Sequence, residues 1–151
     1  MTAEPQIVLH RVLDAPRETV WQAWTQAGHI AKWWGPQGFS TTIHEMDVRP
    51  GGEWRYIMHG PDGTDYPNKV TYLEVEKPSR LVFLLSDDYE DPDKNEHFRS
   101  VVTFDERDGK TEITMRMVFD SPEEYQRVVK FGAVEGGEST LDCLEAHLKT
   151  M

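Results

Sequence analysis

Hydrophobic and polar residues alternate most clearly in the segment 50–63, which reads PGGEWRYIMHGPDG. Trp54, Tyr56 and Met58 occupy every second position there, and successive side chains of a strand point to opposite faces of a sheet. The glycine pair before them permits a sharp bend, and the Asp-Gly pair behind them is typical of a hairpin turn. The pattern therefore predicts a strand with one large apolar face.

The first third of the chain predicts one strand and two short helices. Residues 7–15 alternate like a strand, and Pro16 ends them and suits a first helical turn. Apolar residues then follow at helical spacing, namely Val20, Trp21 and Trp24. We expect Ala27-Gly28 to break this helix, and a second short helix to run from about residue 29 to 34 and to end at Gly35-Pro36.

From Phe39 onward the pattern predicts an antiparallel meander. Clusters of proline, glycine and aspartate separate six runs rich in apolar and β-branched residues. These strands are predicted at 39–49, 53–58, 66–76, 80–85, 98–106 and 111–119.

A last helix is predicted to begin with Ser121, Pro122 and Glu124 and to run to the C-terminus. Its apolar stripe consists of Val134, Leu141, Leu144 and Leu148. Three glycines lie on the same segment, at positions 132, 136 and 137. These glycines either interrupt the helix or let its backbone approach another element closely.

The composition narrows the class of protein. A chain of 151 residues is most simply one domain, so we take residues 1–151 as a single domain. The N-terminus lacks a basic segment followed by a long apolar run, and only one cysteine is present, so we expect a cytoplasmic protein without disulfides. A net charge of −11 repels phosphate backbones and anionic lipids, so we expect neither nucleic-acid binding nor membrane insertion.

Metal, cofactor and nucleophile signatures are weak. The acidic run 86–96 lacks the ligand spacing and central glycine of a calcium loop, so we favour a solvated hairpin loop over calcium binding. The six histidines show no paired ligand spacing, and we predict no metal and no cofactor. Cys143 lies beside the apolar stripe of the last helix, where we expect a buried, inert thiol rather than a nucleophile.

Several motifs, in this order along nearly the whole chain, resemble those of one family. They are Ala15-Pro16 through Val20-Trp21, Trp33-Trp34-Gly35, Asp47 through Gly52, Trp54-Arg55, Gly60 through Gly63, Arg80 through Phe83 and Leu141 through Leu148. The sequence resembles the activator of ninety-kilodalton heat shock protein ATPase homologue family (AHSA-type). That family lies within the START-like (SRPBCC) helix-grip superfamily.

The resemblance implies an α+β helix-grip fold, START-like and Bet v-like. In this fold a curved antiparallel sheet of about six or seven strands wraps around a long C-terminal helix, and two short helices follow the first strand. A cavity between sheet and helix often receives an apolar molecule. Many relatives carry a tryptophan in the glycine-rich part of the last helix, whereas this chain has Gly136 and Gly137 there. That loss either enlarges the cavity or relaxes its packing.

The predicted inward faces and the resemblance together give a candidate ligand cavity without catalytic residues. Its candidate residues are Trp33, Trp34, Trp54, Tyr56, Met58, Tyr72, Met115, Met117, Phe119, Phe131, Val134 and Leu141. Methionines adapt their shape to varied apolar partners, and a mostly apolar lining is typical of small-molecule sites. A filled core that binds nothing is the alternative.

Three functions remain open from the sequence. We favour binding of an apolar or aromatic small molecule over catalysis. A polyketide cyclase or dehydratase would use the same cavity and a polar residue such as Tyr56 or Tyr72 as acid or base. A partner of a chaperone ATPase is the third alternative, although the activators after which the family is named carry an additional amino-terminal domain. Fold-level analogy alone does not decide among them.

Overall fold

The structure is a computed structural model and describes residues 5–35, 37–87, 98–119, 122–130 and 132–151. These residues form an α+β arrangement of seven strands and four helices. In chain order the elements are β1 (Gln6–Leu13), α1 (Arg17–Thr25), α2 (Ala27–Trp33), β2 (Ser40–Met46), β3 (Glu53–His59), β4 (Asp65–Glu76), β5 (Arg80–Asp87), β6 (Phe98–Arg107), β7 (Lys110–Phe119), α3 (Pro122–Lys130) and α4 (Ala133–Leu148).

All seven strands belong to one antiparallel sheet with the order β1-β7-β6-β5-β4-β3-β2. Strands β2 to β7 form a meander, and β1 adds to its far edge beside β7. The register shifts between Ile43 and Glu45 on β2 and between Tyr72 and Glu74 on β4, and such bulges bend and twist a sheet. The predicted meander and helix-grip fold are confirmed.

Strand β1 shows the predicted alternation. Ile7, Leu9 and Leu13 are buried, whereas Val8 and Val12 on the opposite face are 41% and 59% exposed. Because only one face of β1 is buried, apolar residues recur at every second position of its sequence.

The first helix pair is confirmed, but its break lies one residue earlier than predicted and its second helix begins two residues earlier. The Pro16 carbonyl accepts hydrogen bonds from the N–H groups of Thr19 and Val20 and so starts α1. The chain leaves the helix at Gln26, which is extended (φ −102°, ψ 126°), and α2 then begins at Ala27. The prediction of a break at Ala27-Gly28 was wrong because those residues form the first turn of α2.

The prediction of one uninterrupted C-terminal helix was wrong, because two helices, α3 and α4, occupy that segment. Gly132 separates them with φ +85°, a conformation that favours glycine. Gly137 plays the other predicted role, because a Cβ added to it would collide with the Leu9 side chain on β1. The predicted cap Ser121 lies outside the described residues, and Pro122 begins α3 as expected.

Most strand ends differ from their predicted positions by one to three residues, and β2 and β5 are among them. Strand β2 ends at Met46 rather than residue 49, because the following residues turn. The Arg49 N–H donates to the Asp47 carbonyl, and the Gly51 N–H donates to the Tyr72 carbonyl. Strand β5 continues to Asp87, so the first two residues of the predicted acidic loop 86–96 belong to the strand, and its residues 88–96 lie outside the described part of the chain.

None of the helices in the described ranges has the length and apolar composition needed to cross a bilayer.

Candidate functional site

A cavity of about 330 Å³ lies between the inner face of the sheet and the start of α4. Its volume is at the lower end of the range usual for small-molecule sites. Residues from six strands and helices, and from the segments that join them, line it. They are Trp34, Gly35, Tyr56, Met58, Asn68, Phe83, Leu85, Ser100, Met115, Met117, Gly132, Gly136, Gly137 and Thr140.

The sheet contributes a mostly apolar wall. In the register of the strands, Phe83 and Met117 lie on either side of Ser100, and Ser100 is 4% exposed. On β3 and β4, Tyr56 pairs with Asn68. The wall therefore offers thioether and aromatic surface with a few hydroxyl and amide groups, as small-molecule sites generally do.

An aromatic cluster forms one end of the cavity. The Trp34 indole Nε1 donates a hydrogen bond of 2.9 Å to the Tyr56 hydroxyl. The Trp54 ring stacks on Tyr56 with 4.3 Å between centroids and meets Trp34 edge to face at 5.2 Å. Trp33 lies behind Trp34 and donates its Nε1 hydrogen to the Ala23 carbonyl at 2.9 Å. The structure thus brings the four predicted aromatics together, with two of them on the cavity wall.

Helix α4 contributes backbone rather than bulk. Gly132, Gly136 and Gly137 all line the cavity, and a glycine fills no space beyond its main chain. Thr140 adds a hydroxyl, which donates to the Gly136 carbonyl at 2.9 Å. The cavity therefore lies against the glycine-rich segment of α4, where many relatives carry a tryptophan and this chain has Gly136 and Gly137.

The predicted site residues divide into two groups. On the cavity wall lie Trp34, Tyr56, Met58, Met115 and Met117. Beside the wall, in the core, lie Trp33, Trp54, Tyr72, Phe119, Val134 and Leu141. Phe131 lies outside the described residues. A role for any of them in ligand binding stays a prediction.

The interior next to the cavity is filled. Trp54 and Tyr72, each 2% exposed, surround a space with Trp24 and Ile30 that leaves no room for a water molecule. Burial there raises the pKa of Tyr72 above its ordinary value, with a further contribution from Tyr56. The interior between sheet and helices therefore contains both an open cavity, beside α4, and a filled core, around Trp54 and Tyr72.

Sequence reasoning missed several lining residues, namely Gly35, Asn68, Phe83, Leu85, Ser100, Gly132 and Thr140. Gly136 and Gly137 were tied to the cavity only through the tryptophan that many relatives carry there. Phe83 and Leu85 alternate along a strand that was predicted, so counting the inward positions of every strand would have found them. Glycines give no such signal, because nothing in their side chain reports which way they face.

Arg11 fastens α4 to the edge of the sheet outside the cavity. Its guanidinium donates to the carboxylates of Glu138, Asp142 and Glu145 at 2.7–2.9 Å. The Arg11 side chain is 18% exposed, whereas the three carboxylate side chains are 40–55% exposed. This cluster holds the cavity-lining helix in place, and none of its members lines the cavity.

We predicted that Cys143 is buried, but the structure shows that it is only partly buried. It packs at the margin of the core on α4. Desolvation, with a further contribution from Asp142, raises the pKa of its thiol. The thiolate is therefore disfavoured, which agrees with the inert thiol that we expected.

Four of the described histidines, His10, His29, His59 and His147, have polar partners. His59 Nδ1 lies 2.7 Å from Asp65 and its Nε2 lies 2.8 Å from the Thr42 hydroxyl. Among the described residues no group of three or more histidine, cysteine, aspartate or glutamate side chains could hold a metal ion. Two histidines also contact each other, His29 and His147, and the sequence did not predict this pair.

The family model for activator of Hsp90 ATPase homolog 1-like protein matches residues 14–149. The chain belongs to this family. The match spans both helix pairs and most of the sheet, so it confirms the resemblance found in the sequence. No match was found among curated proteins.

The chain shares its fold with several solved structures. The chain is 31% identical to protein Ms6760 from Mycobacterium smegmatis, with a TM-score of 0.87 over 97% of this chain and 92% of that one. It is 28% identical to protein NE0264 from Nitrosomonas europaea, with a TM-score of 0.85 over 99% and 97% of the two chains. A protein from Arthrobacter aurescens has a TM-score of 0.91 over 98% and 88%, and at 24% identity it shows the fold alone.

Proposed function

We propose that this protein binds an uncharged, largely apolar small molecule in the cavity between its sheet and α4. The observation that supports this most is the cavity itself, about 330 Å³ of partly open space lined mostly by apolar side chains and by glycine backbone. A concave, mostly apolar site with a few polar groups is typical of small-molecule binding.

The lining supports an uncharged ligand. Its described residues include no aspartate, glutamate, lysine, arginine or histidine. A charged group brought into such a site would lose its hydration without gaining an opposite charge, which is strongly unfavourable. Hydrogen bonds from a neutral ligand could be met by Asn68, Ser100 or the Tyr56 hydroxyl.

The same lining favours binding over acid–base catalysis. General acids and bases that work near neutral pH are usually histidine or carboxylate groups, and the described lining contains neither. The Tyr56 hydroxyl accepts the hydrogen of the Trp34 indole, an interaction that positions it as part of the wall. A chaperone partner would require a docking surface, and no observation on the described residues favours one.

A matched pair of probes tests the proposal. Naphthol and naphthoate have nearly the same shape, but naphthoate carries a negative charge at neutral pH. We expect saturable binding of naphthol at one site, measured by calorimetry or by quenching of tryptophan fluorescence. Naphthoate should bind at least about tenfold more weakly, because its carboxylate would be desolvated without a partner.

Native mass spectrometry of the protein from its own host complements this test. An uncharged adduct in one copy per chain would identify the natural ligand class. Equal binding of naphthol and naphthoate would contradict the proposed site. Failure of every uncharged apolar probe to bind, together with an adduct-free mass, would contradict the proposed function.

A further inference from the structure

Two histidines from distant parts of the chain meet outside the cavity. His29 on α2 and His147 on α4 are 118 positions apart in sequence, yet His29 Nδ1 lies 3.1 Å from His147 Nε2. Their ring centroids are 5.3 Å apart, and His147 is only 9% exposed. Neither residue lines the cavity, so the proposed function does not account for the pair.

The two nitrogens lie at hydrogen-bond distance from each other, and the same spacing is compatible with a shared metal ion. Metal–imidazole bonds are about 2.0–2.1 Å long, so two nitrogens 3.1 Å apart subtend an angle of about 95–100° at the metal. That angle lies between the right angle of square-planar coordination and the wider angle of a tetrahedron. Neutral imidazole is also the commonest metal ligand in proteins.

We propose that His29 and His147 bind one divalent transition-metal ion, such as Zn²⁺ or Ni²⁺, and that the ion joins α2 to α4. His29 would bind through Nδ1 and His147 through Nε2, each ring keeping its single proton on the other nitrogen. Binding requires both rings to turn away from their mutual hydrogen bond so that each lone pair points to the ion, and one ring must change its tautomer. Solvent or a small ligand fills the remaining coordination positions.

The surroundings allow a cation but do not complete the site. No carboxylate or thiol among the described residues joins the pair to form a group of three, although Cys143 lies one turn before His147 on the same helix. His147 is 9% exposed, and Lys32 lies on the same helix as His29. The positive charge of Lys32 opposes a cation, whereas the net charge of −11 favours one at longer range.

Metal binding would connect two elements that border the ligand cavity. Trp34, at the C-cap of α2, and Thr140, on α4, both line that cavity. An ion bound by His29 and His147 would therefore restrain the aromatic end of the cavity against its helical wall. An ion that binds only the folded chain also stabilises it by mass action.

The test uses the full, untagged chain and the metal alone. Zn²⁺ and Ni²⁺ are titrated separately by calorimetry and by thermal unfolding at neutral pH, after treatment with a chelator. We expect one ion per chain and a melting temperature that rises with metal concentration. His29→Gln and His147→Gln should each weaken binding by about tenfold or more, because each removes one of two protein ligands.

Matched variants separate this site from other metal-binding groups. His44→Gln changes an exposed histidine on β2, and Cys143→Ser removes the neighbouring thiol; both should leave the affinity unchanged. Lys32→Gln should tighten binding, because it removes a repelling charge near His147.

Two results would overturn the proposal. The first is the absence of saturable binding by both ions, and the second is an affinity that His29→Gln leaves unchanged. Because His29 is less buried than His147, its variant remains informative even if His147→Gln fails to fold, which circular dichroism would show.

Discussion

The indole nitrogen of Trp34 donates a 2.9 Å hydrogen bond to the hydroxyl of Tyr56. Trp34 ends α2, whereas Tyr56 lies on β3, so the bond fixes the helix pair to the sheet at the aromatic end of the cavity. Both rings line the cavity, and the stacked Trp54 supports Tyr56 from behind. A bond of this kind positions the cavity wall before any ligand arrives, which lowers the cost of ordering it on binding.

Replacing Trp34 with phenylalanine should weaken both the fold and ligand binding. Trp34→Phe removes the hydrogen bond to Tyr56 and replaces a cavity-lining indole with a smaller ring. We expect a loss of about 0.5–1.5 kcal/mol in the free energy of unfolding, measured with urea. The affinity for naphthol should fall as well.

Trp33→Phe is the matched control for Trp34→Phe. It also removes one indole hydrogen bond, from Trp33 to the Ala23 carbonyl, but Trp33 does not line the cavity. Its stability should fall by a similar amount while its naphthol affinity is kept. Equal losses of affinity in the two variants would mean that the aromatic cluster acts through stability alone.

Filling the cavity from the helix side should abolish binding without unfolding the protein. Gly136 lines the cavity together with Met115 and Met117, so we expect the side chain of Gly136→Leu to enter that space. Leucine also favours a helix over glycine by roughly 0.8 kcal/mol, so we expect unchanged or higher stability. Naphthol binding, measured by calorimetry, should fall by about tenfold or more. Undiminished binding to a stably folded Gly136→Leu protein would show that the ligand lies elsewhere.

A side chain at the neighbouring Gly137 should lower the stability of the protein. A methyl group on Gly137 would collide with the end of the buried Leu9 side chain, so Leu9 must shift. That cost exceeds the roughly 0.8 kcal/mol by which alanine favours a helix over glycine, and we expect a net loss of about 1 kcal/mol of stability in Gly137→Ala. Gly28→Ala, in the first turn of α2, is the control, because a methyl group there meets nothing within 4 Å. Chemical denaturation of both variants measures the difference. A Gly137→Ala protein as stable as Gly28→Ala would show that α4 has room to move away from β1.

Burial of Tyr72 predicts a loss of stability at high pH. Its pKa is raised in the folded protein, whereas in the unfolded chain the hydroxyl ionises near the ordinary value of about 10. Below pH 10 the hydroxyl is protonated in both states and contributes no pH dependence. Above it the unfolded chain binds fewer protons, so stability falls by up to about 1.4 kcal/mol per pH unit.

Tyr72→Phe should reduce that loss, because phenylalanine cannot ionise. Tyr66→Phe is the control, since Tyr66 is 42% exposed. Urea unfolding between pH 8 and pH 11, about one unit or more on either side of the ordinary pKa, gives the slopes. Equal slopes for Tyr72→Phe and the wild-type protein would contradict the assignment of the alkaline loss to Tyr72.

The fold was predictable because its signals are local and repeated. On β1 the alternation of Leu9 and Leu13 with Val8 and Val12 identified a half-buried strand, and the structure places each on the expected face. The break between α3 and α4 was less predictable. Gly132 could interrupt a helix or lie within one, and only the packing around it decides which.

The cavity was less predictable than the fold, since empty space depends on volumes summed over many elements. Trp54 and Tyr56 follow the same alternation, but Trp54 fills the core and Tyr56 reaches the cavity. The pair of His29 and His147 illustrates a second limit. Spacing along the chain detects ligands on one element, and these two side chains meet only through tertiary packing.

The methionine methyl groups give the most direct test of the proposed cavity. Met58, Met115 and Met117 line it, whereas Met46 and Met151 do not. With carbon-13 in these methyl groups, NMR spectra recorded during addition of naphthol should show saturable shifts at the three lining methionines and little change at the other two. Uniform shifts across all five, or none at the lining three, would contradict binding in the cavity.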